Sequence, residues 1–533
     1  MKKIHRIWYL PLTSILFASS CSVGAKAPIE EEKPLPPTIE PEVPIEPEDP
    51  NIPKGWSKFK TKNPSDANQI SVNNARELHF NYPHYNDSQE LVTLRANGFP
   101  SNNTPTLGTP SGPNQWAQEN LITTNNHVQL AKQCFAISFR NGQIEQKTGT
   151  AWILDYKLTN DGSYPLTWYF GTNAHVLDDL RVKDDTYFPE KFGQWDSKNN
   201  SYRANNTMAI SFWKLTDPKI GEQKNTIYGH EWTETRVNFY DPSKEDRQNW
   251  KIYEGFYLDK TPIKTIFTAN DFLSTSPSDF STNSYSNKEE YADFGVFELT
   301  FDNEQQAREA TNNYAEWKEE DKFKYHEEDL IKNPSLKTSE VYEIGYPEDD
   351  GYRHVAINVN SKLYSSGQNY LGSGFSGSRN YNNWTHVEGI FDGLITLPSF
   401  GYEYEWIDNN SNNPNSYTKT TSFSSYGLMY GTNNGNMRPG SSGALVVDAN
   451  GYALGIHFAS DNNAATGGAQ AFYSSGYNYN GYYGKYNLPQ YDLIRGGGKL
   501  QTKSYYDGMV QRYGKDPNFK TRLFPNGLVS NRY

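Results

Sequence analysis

From Cys134 onward the apolar residues of this chain arrive in short runs closed by Asn, Asp, Gly or Ser, and that punctuation constrains the fold most. Residues 134–139, 149–154, 166–170, 208–213, 294–301, 341–346, 354–359, 444–447 and 452–458 are too short for packed helices and suit buried strands. Asn160-Asp161-Gly162 and Asp448-Ala449-Asn450-Gly451 supply turn chemistry between neighbouring runs. Many short strands joined by turns specify antiparallel barrels or sandwiches rather than βαβ units. One stretch departs from the pattern. Residues 303–329, rich in Glu, Lys, Gln and Ala, predict a helix between two β halves.

The material for a core is aromatic: Phe, Trp and Tyr make up 15% of 533 residues, with 39 tyrosines. A net charge of −12 lacks the basic excess of a nucleic-acid binder. Two cysteines, Cys21 and Cys134, exclude a disulfide-dense scaffold. No uninterrupted apolar run reaches the roughly 18 residues of a membrane span. His-Glu-x-x-His, paired cysteines, a calcium loop and a phosphate-binding glycine loop are all missing, so no metal and no cofactor is expected.

The first residues read as an export signal. Lys2, Lys3 and Arg6 precede an apolar stretch from residue 7 to 17, and Ala18-Ser19-Ser20 lead into Cys21. Small residues directly before a cysteine resemble a bacterial lipobox, which implies lipid attachment at Cys21 and a place on the extracellular face of the cell membrane. Residues 28–53 hold nine prolines and eight acidic residues, a composition that stays extended as a stalk. The expected organisation is a signal at 1–20, a lipidated tether at 21–55, and an irregular region at 56–130. A first barrel at 131–302, a helical connector at 303–335, a second barrel at 336–500 and a C-terminal tail at 501–533 follow. Six tyrosines within 473–487 mark a biased surface loop.

Three local patterns carry chemistry. Gly149-Thr150-Ala151-Trp152 opens a hairpin that leads to Thr172-Asn173-Ala174-His175-Val176, which delivers a histidine at a strand end. Ala292-Asp293-Phe294-Gly295-Val296 sets a carboxylate at the entrance of an apolar strand, where it is costly unless paired. Gly440-Ser441-Ser442-Gly443-Ala444-Leu445-Val446 is a glycine-flanked serine turn feeding a buried strand. Alone, each pattern is common in structural roles; the order His, Asp, Ser on strand edges is what raises their joint significance.

Together they resemble the chymotrypsin-like serine peptidases, and the resemblance implies a mostly β fold of two antiparallel β-barrels with long loop insertions and a few helices. His175, Asp293 and Ser442 fall on the family's catalytic positions, with Gly440 and Ser442 at the oxyanion hole. Ser441 stands where the family usually has Asp, a departure that bears on zymogen-style activation. The spacings imply large insertions at 181–205 and 215–290. With Ile344-Gly345-Tyr346-Pro347 and the lipobox and stalk, the chain is similar to the mycoplasma surface peptidases that include the mycoplasma immunoglobulin protease. That narrower resemblance implies a host protein substrate, with immunoglobulin heavy chain as the named candidate, and a separate immunoglobulin-binding partner protein. By the same resemblance, Asn436 and His457 line the specificity pocket. The competing reading is a catalytically silent adhesin or immunoglobulin-binding lipoprotein on the same fold. A second histidine pattern, Thr124-Asn125-Asn126-His127-Val128, lacks the preceding Gly-Thr hairpin, so His175 is preferred. Cys134 lies inside an apolar strand, where a buried hydrophobe is the default.

Overall fold

The structure is a computed structural model of the 533-residue chain. It describes most of residues 122–182, 207–221, 231–240, 261–275, 288–328, 341–357, 437–461, 466–478 and 487–529, with short strands at 82–85, 91–95, 195–196, 201–202, 394–399, 403–408, 419–425 and 427–433. The signal, Cys21, the proline-rich stalk and Asn436 lie outside the described residues.

Helix α1 (Asn125–Gln133) precedes the first strands. It contains the second histidine pattern: Thr124 is its N-cap, accepting the His127 N–H at 3.2 Å, and buried His127 packs edge-on against Tyr342. Strands β1 (Cys134–Asn141), β2 (Glu145–Tyr156) and β3 (Thr167–Thr172) follow as an antiparallel meander. The predicted turn between β2 and β3 is present, with Gly162 at φ 75° and Asp161 Oδ1 accepting the Ser163 N–H at 3.0 Å. A four-residue helix, α2 (Ala174–Leu177), caps β3. Strands β4 (Thr207–Leu215), β5 (Trp232–Asn238), β6 (Ile263–Asn270) and β7 (Lys288–Thr300) complete the first half. The stretch expected to be an insertion, 215–290, therefore contributes two strands of the sheet. In β5 buried and exposed positions alternate, a half-buried pattern hidden in a polar composition.

The charged connector is shorter as a helix than its composition predicts. Helix α3 spans Glu304–Thr311 and stops because Asn312 and Asn313 both adopt the left-handed conformation, φ 54°. Two 3-10 turns, Tyr314–Glu316 and Glu319–Asp321, follow. Its start is well specified: Asn303 accepts the Gln306 N–H, while Gln306 reaches back to the Asp302 N–H.

The second half comprises β8 (Val341–Gly345), β9 (Ala356–Ile357), β10 (Leu394–Ser399), β11 (Glu403–Asp408), β12 (Lys419–Ser425), β13 (Gly427–Asn433), β14 (Leu445–Asp448), β15 (Tyr452–Asp461) and β16 (Thr466–Ala471). A hairpin of β17 (Tyr473–Asn478) and β18 (Asn487–Asp492) replaces the expected tyrosine-rich loop at its two ends. Helix α4 (Tyr505–Tyr513) is the last helix among the described residues.

Two large sheets result, nine and eight strands, mostly antiparallel, the eighth strand of the second being the two-residue Lys324–Tyr325, which pairs in parallel with the start of β15. The first runs β11-β12-β7-β3-β2-β1-β4-β5 with β6 also on β7; the second runs β9-β8-β14-β15-β16-β13-β10. The fold is mostly β with few helices, as predicted. The ladders form open paths among the described residues and not the closed barrels of the sequence expectation. In the first sheet the cause is β7, which is 13 residues long and pairs in turn with β12 in parallel, then with β6 and β3 antiparallel, so the sheet branches there. In the second, β9 is only two residues long and pairs with β8 alone among the described strands.

One continuous core joins both sheets. Trp152 is fully buried and lies 6.3 Å from Phe294, 5.0 Å from Phe323 and 5.6 Å from Phe472, ring centre to ring centre. Truncating such a ring typically costs about 3–5 kcal/mol, so this cluster is a principal tie between the halves. Cys134 is buried and unoxidised on β1, and burial pushes its thiol pKa up, which favours the inert thiol.

Of residues 501–533, expected as a tail, the described part 501–529 packs onto the first sheet, with Thr521 bridging to Lys157. Asp155 on β2 is fully buried and accepts the Leu523 N–H at 3.0 Å and the Tyr505 hydroxyl at 3.2 Å. Burial raises its carboxyl from 3.8 to about 6 despite those donors. The folded state therefore binds more protons than the unfolded chain between these values, and Asp155 contributes stability that is lost as pH rises from about 4 to 6. Denaturant titrations across that window should show Asp155→Asn flattening the stability–pH slope relative to the parent. An unchanged slope would remove Asp155 as the titrating group.

Candidate active site

The site forms where β3, β7 and the loop before β14 meet. Small residues in the motifs make the room. A side chain at Gly149 would overlap Val176 at 2.8 Å, and one at Gly295 would overlap Leu177 at 2.6 Å. Helix α2 therefore settles directly against β2 and β7. His175 then faces Asp293: its Nδ1 lies 2.6 Å from Oδ2, and its backbone N–H donates to Oδ1 at 3.0 Å. Asn173 adds a third tie, donating from its amide to the Asp293 carbonyl at 2.5 Å.

Asp293 is 3% exposed, a costly position for a carboxylate that the two His175 groups facing it offset. An ionised carboxylate only accepts, so the ring nitrogen facing it must carry the proton. The neutral imidazole then has its lone pair on Nε2, with the side chain 34% exposed. A carboxylate-oriented base of this kind can take a proton from a hydroxyl.

The serine turn is locked to the same place through Thr150, the second residue of Gly-Thr-Ala-Trp. Its N–H donates to the Ser442 carbonyl at 2.7 Å, and its hydroxyl donates to the Gly440 carbonyl at 2.9 Å. The same hydroxyl accepts the Tyr346 N–H at 3.0 Å, and its carbonyl accepts the Thr172 hydroxyl at 2.8 Å. Thr172 ends β3, just ahead of Asn173 and His175. Gly440 and Gly443 both adopt positive φ, 98° and 96°, which turns the chain sharply on either side of Ser442. The Gly443 N–H donates to the His457 carbonyl at 3.0 Å, anchoring the turn on β15. Among the described residues, the N–H groups of Gly440, Ser441 and Ser442 donate no hydrogen bond within the protein. Ser442 is partly exposed, whereas Ser441 is fully buried against Gly345.

His457 is 2% exposed, with its Nδ1 3.5 Å from Glu343 Oε2. The structure thus places it beneath the serine turn as part of a buried His–Glu pair. Thr150, Thr172 and Asn173 were present in the motifs only as letters; their roles emerge from contacts between segments distant in sequence.

Fold and site together define a mostly β protein in which a His–Asp pair and a glycine-flanked serine turn are held in one place. The chain belongs to the mycoplasma immunoglobulin protease family, whose model matches residues 124–459. Among curated relatives, a membrane-associated lipoprotein of Ureaplasma parvum serovar 3 is 28% identical over 559 residues, covering 88% of this chain and 61% of the relative. An uncharacterized lipoprotein of Mycoplasma genitalium is 25% identical, covering 61% of this chain and 68% of the relative. A solved structure described as that of the mycoplasma MIB and MIP proteins shares the fold, with TM-score 0.52 and 23% identity over 73% of this chain and 61% of that one. The chain thus spans about three fifths of the length of the Ureaplasma relative and of the solved chain. No helix among the described residues is long and apolar enough to cross a membrane.

Proposed function

We propose that this chain is a surface-anchored serine endopeptidase on the chymotrypsin-like plan, acting through Ser442, His175 and Asp293. The observation that carries the reading is the Thr150 network, which ties the serine turn to the strand that ends at the His175–Asp293 pair. The order β1-β2-β3-β7-β6 in the first sheet and β8-β14-β15-β16-β13 in the second supports the same plan.

In this mechanism the Ser442 hydroxyl attacks a peptide carbonyl as His175 Nε2 takes its proton. Asp293 holds the imidazole in the required tautomer and stabilises the imidazolium. The tetrahedral oxyanion faces the N–H groups of Gly440 and Ser442, each worth on the order of 3 kcal/mol. His175 next protonates the departing amine, leaving an acyl-enzyme ester. Water, deprotonated by the same base, then releases the acid and restores the serine. His457, behind the turn with Glu343, bears on specificity through the placement of β15.

The substrate in this reading is a host protein, with immunoglobulin heavy chain the first to test, and a separate immunoglobulin-binding surface protein as partner. The family description and the joint description of two mycoplasma proteins in the solved structure support it. Lipid attachment at Cys21 and display on the extracellular face fit the lipoprotein names of the relatives.

A fluorophosphonate probe should label the folded full-length chain, and peptide mapping should put the adduct on Ser442. A folded chain without that adduct, alone and with an immunoglobulin-binding partner, would favour the silent adhesin. Incubation with immunoglobulin should release heavy-chain fragments; intact heavy chain under both conditions removes that substrate.

A further inference from the structure

We propose that Asp271, Glu289 and Glu290 form a calcium-type divalent-cation site where β6 ends and β7 begins. One carboxylate oxygen from each residue lies within 4.8 Å of the other two. Two oxygens on opposite sides of a Ca²⁺ ion are about 5 Å apart at most, given Ca–O distances of roughly 2.3–2.6 Å.

Glu290 points independently to a missing positive charge. It is fully buried; Oε1 accepts the Leu273 N–H at 2.6 Å, and Oε2 has no hydrogen-bond partner. Neighbouring Asn270 likewise has a buried Oδ1 without a partner. A buried acceptor left unsatisfied costs about 1–3 kcal/mol, more when charged, so such oxygens call for a cation or protons.

Among the described residues, Lys503 is a basic group beside the cluster, and its contact with Asp271 is long and half-exposed. Its Nζ lies 3.8 Å from Asp271 Oδ2 and is bonded to the Asn270 carbonyl, with the side chain 43% exposed.

The backbone prearranges the ligands. Asp271 sits at φ 51°, its N–H donating to the Glu290 carbonyl at 2.8 Å and its carbonyl accepting the Thr502 hydroxyl at 3.2 Å. Asn270 pairs with Tyr291 across β6 and β7. The Asp271 side chain is 56% exposed, which leaves an entry path from solvent. Because the ligands come from two segments, no contiguous calcium loop exists for a sequence scan to find. Glu290 lies three residues ahead of Asp293 on β7, so a bound cation would pin the start of the strand that carries Asp293.

The test uses the full-length chain freed of metal with a chelator. Terbium(III) emission excited through Tyr and Trp should saturate at one site and be displaced by Ca²⁺, with a Ca²⁺ dissociation constant near 10⁻⁴–10⁻³ M, roughly the range of extracellular modules. Ca²⁺ should also raise Tm above the chelated value. Glu290→Gln alters a buried group and could unfold the chain, so the informative variant is Asp271→Asn with Glu289→Gln. It should weaken Ca²⁺ binding at least about tenfold and abolish the Tm rise. Lys503→Gln should strengthen binding. The proposal is overturned by no saturable binding up to about 10 mM Ca²⁺, by undiminished binding in the double variant, or by displacement with Mg²⁺ as effective as with Ca²⁺. None of these readouts depends on peptidase activity, so the site and the proposed catalysis stand or fall separately.

Discussion

Ser442→Ala is expected to lower kcat by about 10⁶-fold while leaving Tm within a degree or two of the parent, because a catalytic serine, base and orienting carboxylate act as a unit. His175→Ala should cost about as much, and the double variant no more than either alone. Asp293→Asn keeps a similar shape but donates where the carboxylate accepted, favouring the other imidazole tautomer. A loss of about 10⁴-fold is expected there. The measurement is peptide-bond cleavage on a substrate first shown to be cut by the parent. Additive losses in the double variant, or full activity in Ser442→Ala, would remove the triad. A residual rate above uncatalysed hydrolysis is consistent with it, since the oxyanion donors of the serine turn remain.

The second large effect is structural. A Cβ at Gly443 would lie 2.0 Å from the Thr150 carbonyl oxygen and 2.6 Å from the Thr172 hydroxyl, with the backbone at φ 96°. Neither neighbour can yield easily, since the first is backbone and the second is held by its own hydrogen bond to Thr150. Left-handed strain and overpacking together cost about 2–5 kcal/mol. Gly443→Ala should therefore lower Tm by roughly 2–5 °C. In the fraction that stays folded, fluorophosphonate labelling at Ser442 should drop out of proportion to the stability loss, because the clash pushes the serine turn away from β2 and β3. Parent-like Tm and labelling would show that the turn tolerates a different backbone.

These variants separate what the sequence encodes locally from what the fold assembles. The strand runs at 134–139, 149–154, 208–213 and 452–458 all lie within observed strands, because an apolar run bounded by turn residues has few other ways to bury itself. The preference for the histidine pattern at 175 over that at 127 rested on its preceding hairpin, and the structure uses Thr124 as a helix cap. Strands β5 and β6 were not legible, since polar composition masked a half-buried alternation. The connector helix was overestimated because composition does not register a left-handed Asn pair. The C-terminal helix was missed because its burial depends on Asp155 and Tyr169, hundreds of residues earlier.

A mostly β chain with an aromatic core and three motifs in fixed order is legible residue by residue, since period, turn chemistry and residue type are local properties. That the ladders among the described residues stay open and branch at β7 follows only from folding, because strand pairing depends on partners far along the chain. Tertiary structure also decided that Thr150 binds the serine turn to the histidine strand, and that Asp271 meets Glu289 and Glu290. Hydrogen bonds and charge clusters between distant segments leave no periodic trace in sequence; they exist only once packing has brought those segments within a few ångströms.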